Sequence, residues 1–120
     1  MSIRVLIVDD APFIREVLRG SLQSANFEVV GEAQNGTDAV RLFSELHPDL
    51  VLMDIIMPKM SGIDATKEIL QIDPSAKVVA CSTVDDEQMM NRAIEAGCVK
   101  YITKPFEKNV LINTLKQLVE

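Results

Sequence analysis

A single histidine, only two cysteines and no excess of basic residues set the first limits on these 120 residues. One imidazole and two thiols at irregular spacing cannot assemble a zinc site or a Ser/His/Asp triad. Cys81 and Cys98 lie in or beside apolar runs and read as small buried residues of a reducing compartment rather than as a disulfide. Lys and Arg number 12 against 18 Asp and Glu, a net charge of −6, whereas a nucleic-acid surface needs a basic stripe. No apolar run is long enough to cross a bilayer, and Met1 leads into a strand-like segment with no basic, then apolar, leader. A cytoplasmic chain without membrane insertion is therefore expected. No internal repeat, linker or low-complexity tract divides the sequence, and one domain over residues 1–120 is expected. With 48% hydrophobic and 25% charged residues, a core can form without help from a metal or a disulfide.

What is present is alternation. Ile3–Val8, Glu28–Glu32, Leu50–Met53, Lys77–Cys81 and Val99–Thr103 read as strands. Four of the five are nearly continuous apolar runs, as expected of strands covered on both faces. Glu28–Glu32 is flanked by charges and reads as an edge. Between the strands run stripes of helical period: Ile14, Val17, Leu18 and Leu22; Ala39, Val40, Phe43 and Leu46; Ile63, Thr66, Ile69 and Leu70; Met89, Ala93, Ile94 and Ala96; and Leu111, Thr114, Leu115, Leu118 and Val119. Such stripes are expected to face the core. Pro12 suits a first helical turn, Ser61 with Asp64 and Asp85 with Gln88 resemble N-terminal caps, and Gly97 reads as a helix stop. The pattern predicts an α/β fold, a flavodoxin-like (βα)5 doubly wound parallel sheet in the order 2-1-3-4-5.

The chemistry lies in what ends each strand. The first ends in Asp9-Asp10, the third in Asp54, the fourth in Ser82-Thr83 and the fifth in Lys104-Pro105. Parallel strands put these ends on one edge, and the first and third strands flank the point where the strand order reverses. Three carboxylates, a hydroxyl and an ammonium should therefore converge there. Crowded carboxylates repel unless a cation joins them, and Mg²⁺ prefers oxygen ligands. An aspartate can attack phosphorus, and phosphoryl transfer needs its equatorial charge neutralised by a metal and a lysine. Taken singly, each residue has a plainer explanation: Asp9-Asp10 as a helix cap, Asp54 as a loop residue, Lys104 as a surface lysine, Ser82 as a turn former. Five polar residues at the ends of four apolar strands favour the site.

Four segments then carry a resemblance: Val5-Leu6-Ile7-Val8-Asp9-Asp10, Met53-Asp54 through Ser61-Gly62, Cys81-Ser82, and Lys104-Pro105-Phe106. In this order they resemble the receiver domains of two-component response regulators, along the whole chain and nearest to the single-domain chemotaxis members. The resemblance implies that Asp54 is the phosphoacceptor. It implies Mg²⁺ held by Asp10, Asp54 and the backbone carbonyl of Ile56, with Asp9 acting through water. Lys104 would pair with the phosphoryl group, its bond to Pro105 being cis. Ser82 would be the switch hydroxyl, and Tyr101 the aromatic that turns inward with it; without the resemblance, Tyr101 reads as a half-buried strand residue. It further implies a CheA-like histidine kinase as phosphodonor. The expected effector is a protein such as a flagellar switch component, bound through the fourth helix, fifth strand and fifth helix. No nucleic-acid partner and a monomer are expected, and the chain would catalyse only its own phosphorylation and dephosphorylation.

Thr83 stands where a small residue is usual and would narrow access to Asp54. Ile56 and Val84 place apolar side chains where some relatives have polar ones, which should leave the hydrolytic water poorly held and the acyl phosphate long-lived. The lone His47, before Pro48, is expected to be exposed at a helix end. Met57 and Met60 are expected to pack down the loop after Asp54. Other readings stay open. These are a phosphorelay intermediate, a receiver cut from a longer transcriptional regulator (the chain's start at Met1 favours a stand-alone protein), a Mg²⁺-dependent aspartyl-phosphate phosphatase, and a flavin carrier of the same fold. The phosphatase would want a second acid after Asp54 and a substrate cap. The flavin carrier would want a glycine- and hydroxyl-rich loop where Asp9-Asp10-Ala11-Pro12 stands.

Overall fold

Each apolar run becomes a strand: β1 (Ile3–Val8), β2 (Phe27–Ala33), β3 (Leu50–Asp54), β4 (Val78–Ser82) and β5 (Lys100–Thr103). The structure is a computed structural model and describes residues 2–83 and 86–119. The strands form one parallel sheet in the order β2-β1-β3-β4-β5, as the alternation predicts. β2 lies on an edge, where Glu28 meets solvent. Its register against β1 skips one residue, Val5 facing Val29 but Leu6 facing Gly31.

Strand side chains alternate between two cores. Leu6, Val8, Val51, Met53, Val78 and Ala80 face one side and pack against α2 (Gly36–Leu46), α3 (Gly62–Ile72) and α4 (Glu87–Ala96). Val5, Ile7, Leu50, Leu52, Val79 and Cys81 face the other and pack against α1 (Pro12–Ser24) and α5 (Lys108–Leu118). Two-sided cover explains the near-continuous apolar strands. Both cysteines are buried free thiols, and burial pushes Cys81 up to about 12, which leaves it inert. Met57 and Met60 pack against the first core. No helix among the described residues is long and apolar enough to cross a membrane.

Helix ends follow local chemistry. Pro12 occupies the first turn of α1. Asn35 accepts the Asp38 N–H at 2.8 Å and Ser61 the Asp64 N–H at 3.2 Å. His47 closes α2 in the left-handed region at φ 48°, and is exposed. Gly97 closes α4 at φ 114°, where a side chain would be strained. Two expectations need correction, and a third lies partly out of view. The cap of α4 is Asp86, whose carboxylate accepts the Met89 N–H at 2.6 Å; Asp85 lies outside the described residues, as does Val84. Val17 and Ile94, read as core, are 45% and 50% exposed. α4 covers the sheet through the small residues Ala93 and Ala96, and Ile94, one position round from Ala93, points away. Val17 instead borders the cleft described next.

Candidate functional site

The carboxyl ends of β1, β3 and β4 and the segment after β5 enclose a cavity of about 530 Å³. Asp9, Asp10, Asp54, Ser82, Thr83 and Lys104 all line it, so the residues singled out at the strand ends do meet. Oxygens of Asp9, Asp10 and Asp54 lie within 4.8 Å of one another, an arrangement that can hold one cation. Asp9 and Asp54 are buried, and Asp10 is exposed.

Local structure fixes each group. Gly62 brings α3 against the end of β3: a Cβ there would sit 2.1 Å from the Asp54 carbonyl oxygen. The Ile56 N–H donates to the Asp54 carboxylate, while the Ile56 side chain is 53% exposed at the cavity mouth. The cis Lys104–Pro105 bond is present. The Lys104 N–H donates to the Ser82 carbonyl at 2.7 Å, which ties the ends of β4 and β5 together. The Lys104 ammonium reaches Asp9 Oδ2 at 2.5 Å and Asp54 Oδ1 at 3.5 Å. Ser82 is buried two positions after Ala80, whose side chain faces the first core. Tyr101, opposite Ala80 in the register, is half-buried and packs against that core.

The electrostatics are unbalanced. Burial raises the Asp54 carboxyl most; Lys104 and the Ile56 N–H oppose it, Asp9 and Asp10 add to it, and the result is about 6. Burial works against the Lys104 ammonium, but the hydrogen bond to Asp9 and the charges of Asp54 and Asp9 outweigh it, so its pKa is raised. Three carboxylates therefore share one ammonium. An all-oxygen set with an exposed member suits a hard divalent cation such as Mg²⁺. A buried aspartate beside such a cation and an ammonium can act as a nucleophile toward an electrophile of high negative charge.

Some features escaped the sequence. The Arg15 guanidinium bonds the Asp9 carbonyl at 2.6 Å and Glu32 at 3.1 Å. Ile14, Val17, Pro105 and Phe106 add an apolar wall to the cavity. The only signal for Arg15 is a basic residue one helical turn beyond an acidic pair, which reads equally as a solvated charge.

Among the described residues, an acidic cluster beside one ammonium lies where the 2-1-3-4-5 sheet reverses its order, the place where folds of this class bind ligands. The chain belongs to the response regulator receiver domain family of two-component signalling, whose family model matches residues 5–116. The chemotaxis protein CheY of Thermotoga maritima is 48% identical over 118 residues, 98% of each chain. CheY in a CheX–CheY–BeF3–Mg²⁺ complex from Borrelia burgdorferi superposes with a TM-score of 0.94 at 29% identity, covering 98% of this chain and 90% of that one. The transcriptional regulatory protein DegU of Brevibacillus brevis is 34% identical over 120 residues, 99% of this chain but 51% of that protein.

Proposed function

We propose that residues 1–120 form one receiver domain in which Asp54 accepts a phosphoryl group from a histidine kinase, CheA-like in kind, and thereby changes affinity for an effector. The observation that carries this is Asp54 itself: buried, 3.5 Å from the Lys104 ammonium and clustered with two further carboxylates. An Asp54 oxygen attacks phosphorus, the bond from phosphorus to the donor imidazole nitrogen breaks, and that nitrogen regains its lone pair. Asp10, Asp54 and the Ile56 carbonyl would hold Mg²⁺, with Asp9 joining through water; the metal would supply charge neutralisation for the transferred group. Lys104 stays charged, as its raised pKa requires, and leaves Asp9 to pair with a phosphoryl oxygen. Ser82 then donates to another oxygen, and Tyr101 moves with it. Such a step biases an existing two-state balance rather than building a new fold.

The high identity to a chemotaxis protein along both chains favours motility control, with a flagellar switch component meeting α4, β5 and α5. On this reading the chain works in the cytoplasm as a monomer and turns over only its own acyl phosphate. The half-length match to DegU supports a second reading, a receiver that is part of a longer transcriptional regulator. Incubation with a ³²P-labelled histidine kinase tests the central claim. Label should pass to the wild type only when Mg²⁺ is present, and not to Asp54→Asn. Equal labelling of the variant, or labelling of the wild type in excess EDTA, would overturn it.

A further inference from the structure

Of the three clustered acids only Asp10 is exposed, and the peptide joining it to Asp9 sets its position. Every polar group of Asp9 is engaged. Its N–H donates to the Ala33 carbonyl at 3.0 Å, Oδ1 accepts the Ala11 N–H at 3.0 Å, and Oδ2 meets Lys104. The carbonyl oxygen lies beyond the last paired residue of β1, Val8, and accepts from Arg15 Nη1 at 2.6 Å. Arg15 is itself held. Its Nε meets Glu32 Oε1 on β2 at 3.1 Å, and the other Glu32 oxygen meets Arg19 at 2.6 Å.

A physical consequence follows. A guanidinium fork bound at both ends fixes the direction of the Asp9 carbonyl more tightly than a mobile water would. The Glu32 carboxylate, shared between Arg15 and Arg19, holds the fork in place from the side away from the acidic loop.

We propose that Arg15, braced by Glu32, is a positioning residue for the acidic loop: it fixes the Asp9–Asp10 peptide and so presents Asp10 to the divalent cation. The inference rests on the Mg²⁺ site proposed above. Outer groups that orient metal ligands typically change metal affinity by tenfold or more when removed.

Calorimetric titration with Mg²⁺, beside thermal unfolding in EDTA, tests it on the full chain. Arg15→Met should bind Mg²⁺ about tenfold more weakly than wild type. Arg15→Lys should fall between, because an ammonium cannot span both partners as a fork. Arg19→Met, which removes the other Glu32 partner but touches no atom of the site, should stay within about twofold, because Arg15 keeps both of its own contacts. Should Arg15→Met not fold, Arg15→Gln is judged by the same expectation. Wild-type affinity in a folded Arg15→Met or Arg15→Gln, or an equal loss in Arg19→Met, overturns the inference alone. No Mg²⁺ binding by the wild type overturns the metal site and the inference together.

Discussion

The two ends of the sheet treat their charged side chains in opposite ways. At the amino end Arg4, Asp49, Lys77 and Asp73 each meet a partner. The Arg4 guanidinium donates to the His47 carbonyl at 2.9 Å, and Asp49 accepts the Arg4 N–H at 2.8 Å. Lys77 Nζ reaches the Leu118 carbonyl, and hydrogen bonds from Ser75 hold the Asp73 carboxyl below its usual value. At the carboxyl end, among the described residues, the cavity lining pits Asp9, Asp10 and Asp54 against Lys104, and Asp54 rises to about 6. One end is satisfied by its own backbone; the other is built to be completed by something from outside. That difference marks the functional edge more surely than the number of charges does.

Removing the ammonium that meets the carboxylates should disturb the carboxyl end most. Lys104→Met leaves the buried Asp9 without its ammonium and lets Asp54 rise further. We expect a loss of about 3 kcal/mol in urea unfolding at pH 7 without Mg²⁺, the scale for breaking one partner out of a buried pair. A loss below about 1 kcal/mol would reduce Lys104 to an ordinary surface lysine.

A smaller effect of opposite sign is expected at Asp54. Its folded pKa of about 6 exceeds its ordinary value of 3.8, so between those values the folded chain holds a proton that the unfolded chain has released. Stability from this group is complete below about pH 4 and is lost as pH rises through 6. Asp54→Asn should therefore stabilise the metal-free protein at pH 7 by about 2 kcal/mol, within the scale set by a shift of this size. The gain should vanish near pH 4, as urea unfolding of both proteins across that range would reveal. A variant less stable than wild type at pH 7 would mean that the carboxylate is compensated after all.

The two ends also differ in how far the sequence discloses them. Asp9, Asp10, Asp54, Ser82 and Lys104 stand out because each follows an apolar run that period alone assigns to a strand. Once the strands are parallel, their ends must share an edge. Which groups touch within the site is another matter. Lys104 bonds Asp9 across 95 positions, a pairing that no local pattern encodes, and Arg15 looks like any solvated helix arginine until Glu32 arrives on β2. Val17 and Ile94 have the right period for burial yet stay exposed, because tertiary packing decides how wide a stripe each helix buries. The cap of α4 could be misplaced by one residue because Asp85 and Asp86 offer the same chemistry in succession.

The smallest expected effect tests the quiet end. Asp49 is exposed, and its carboxylate accepts the Arg4 N–H while its own N–H donates to the Arg4 carbonyl at 2.8 Å. Asp49→Ala removes only the side-chain half of this exchange, and water can take the freed N–H. The cost should be about 1 kcal/mol or less, the net worth of one such hydrogen bond. Because the acidic pocket lies at the far end of the strands, the loss should be the same with and without saturating Mg²⁺. Urea unfolding in EDTA and in Mg²⁺ measures both quantities on one variant. A Mg²⁺-dependent difference would mean that the two ends are coupled through the sheet, and that the amino end is part of the switch rather than its foundation.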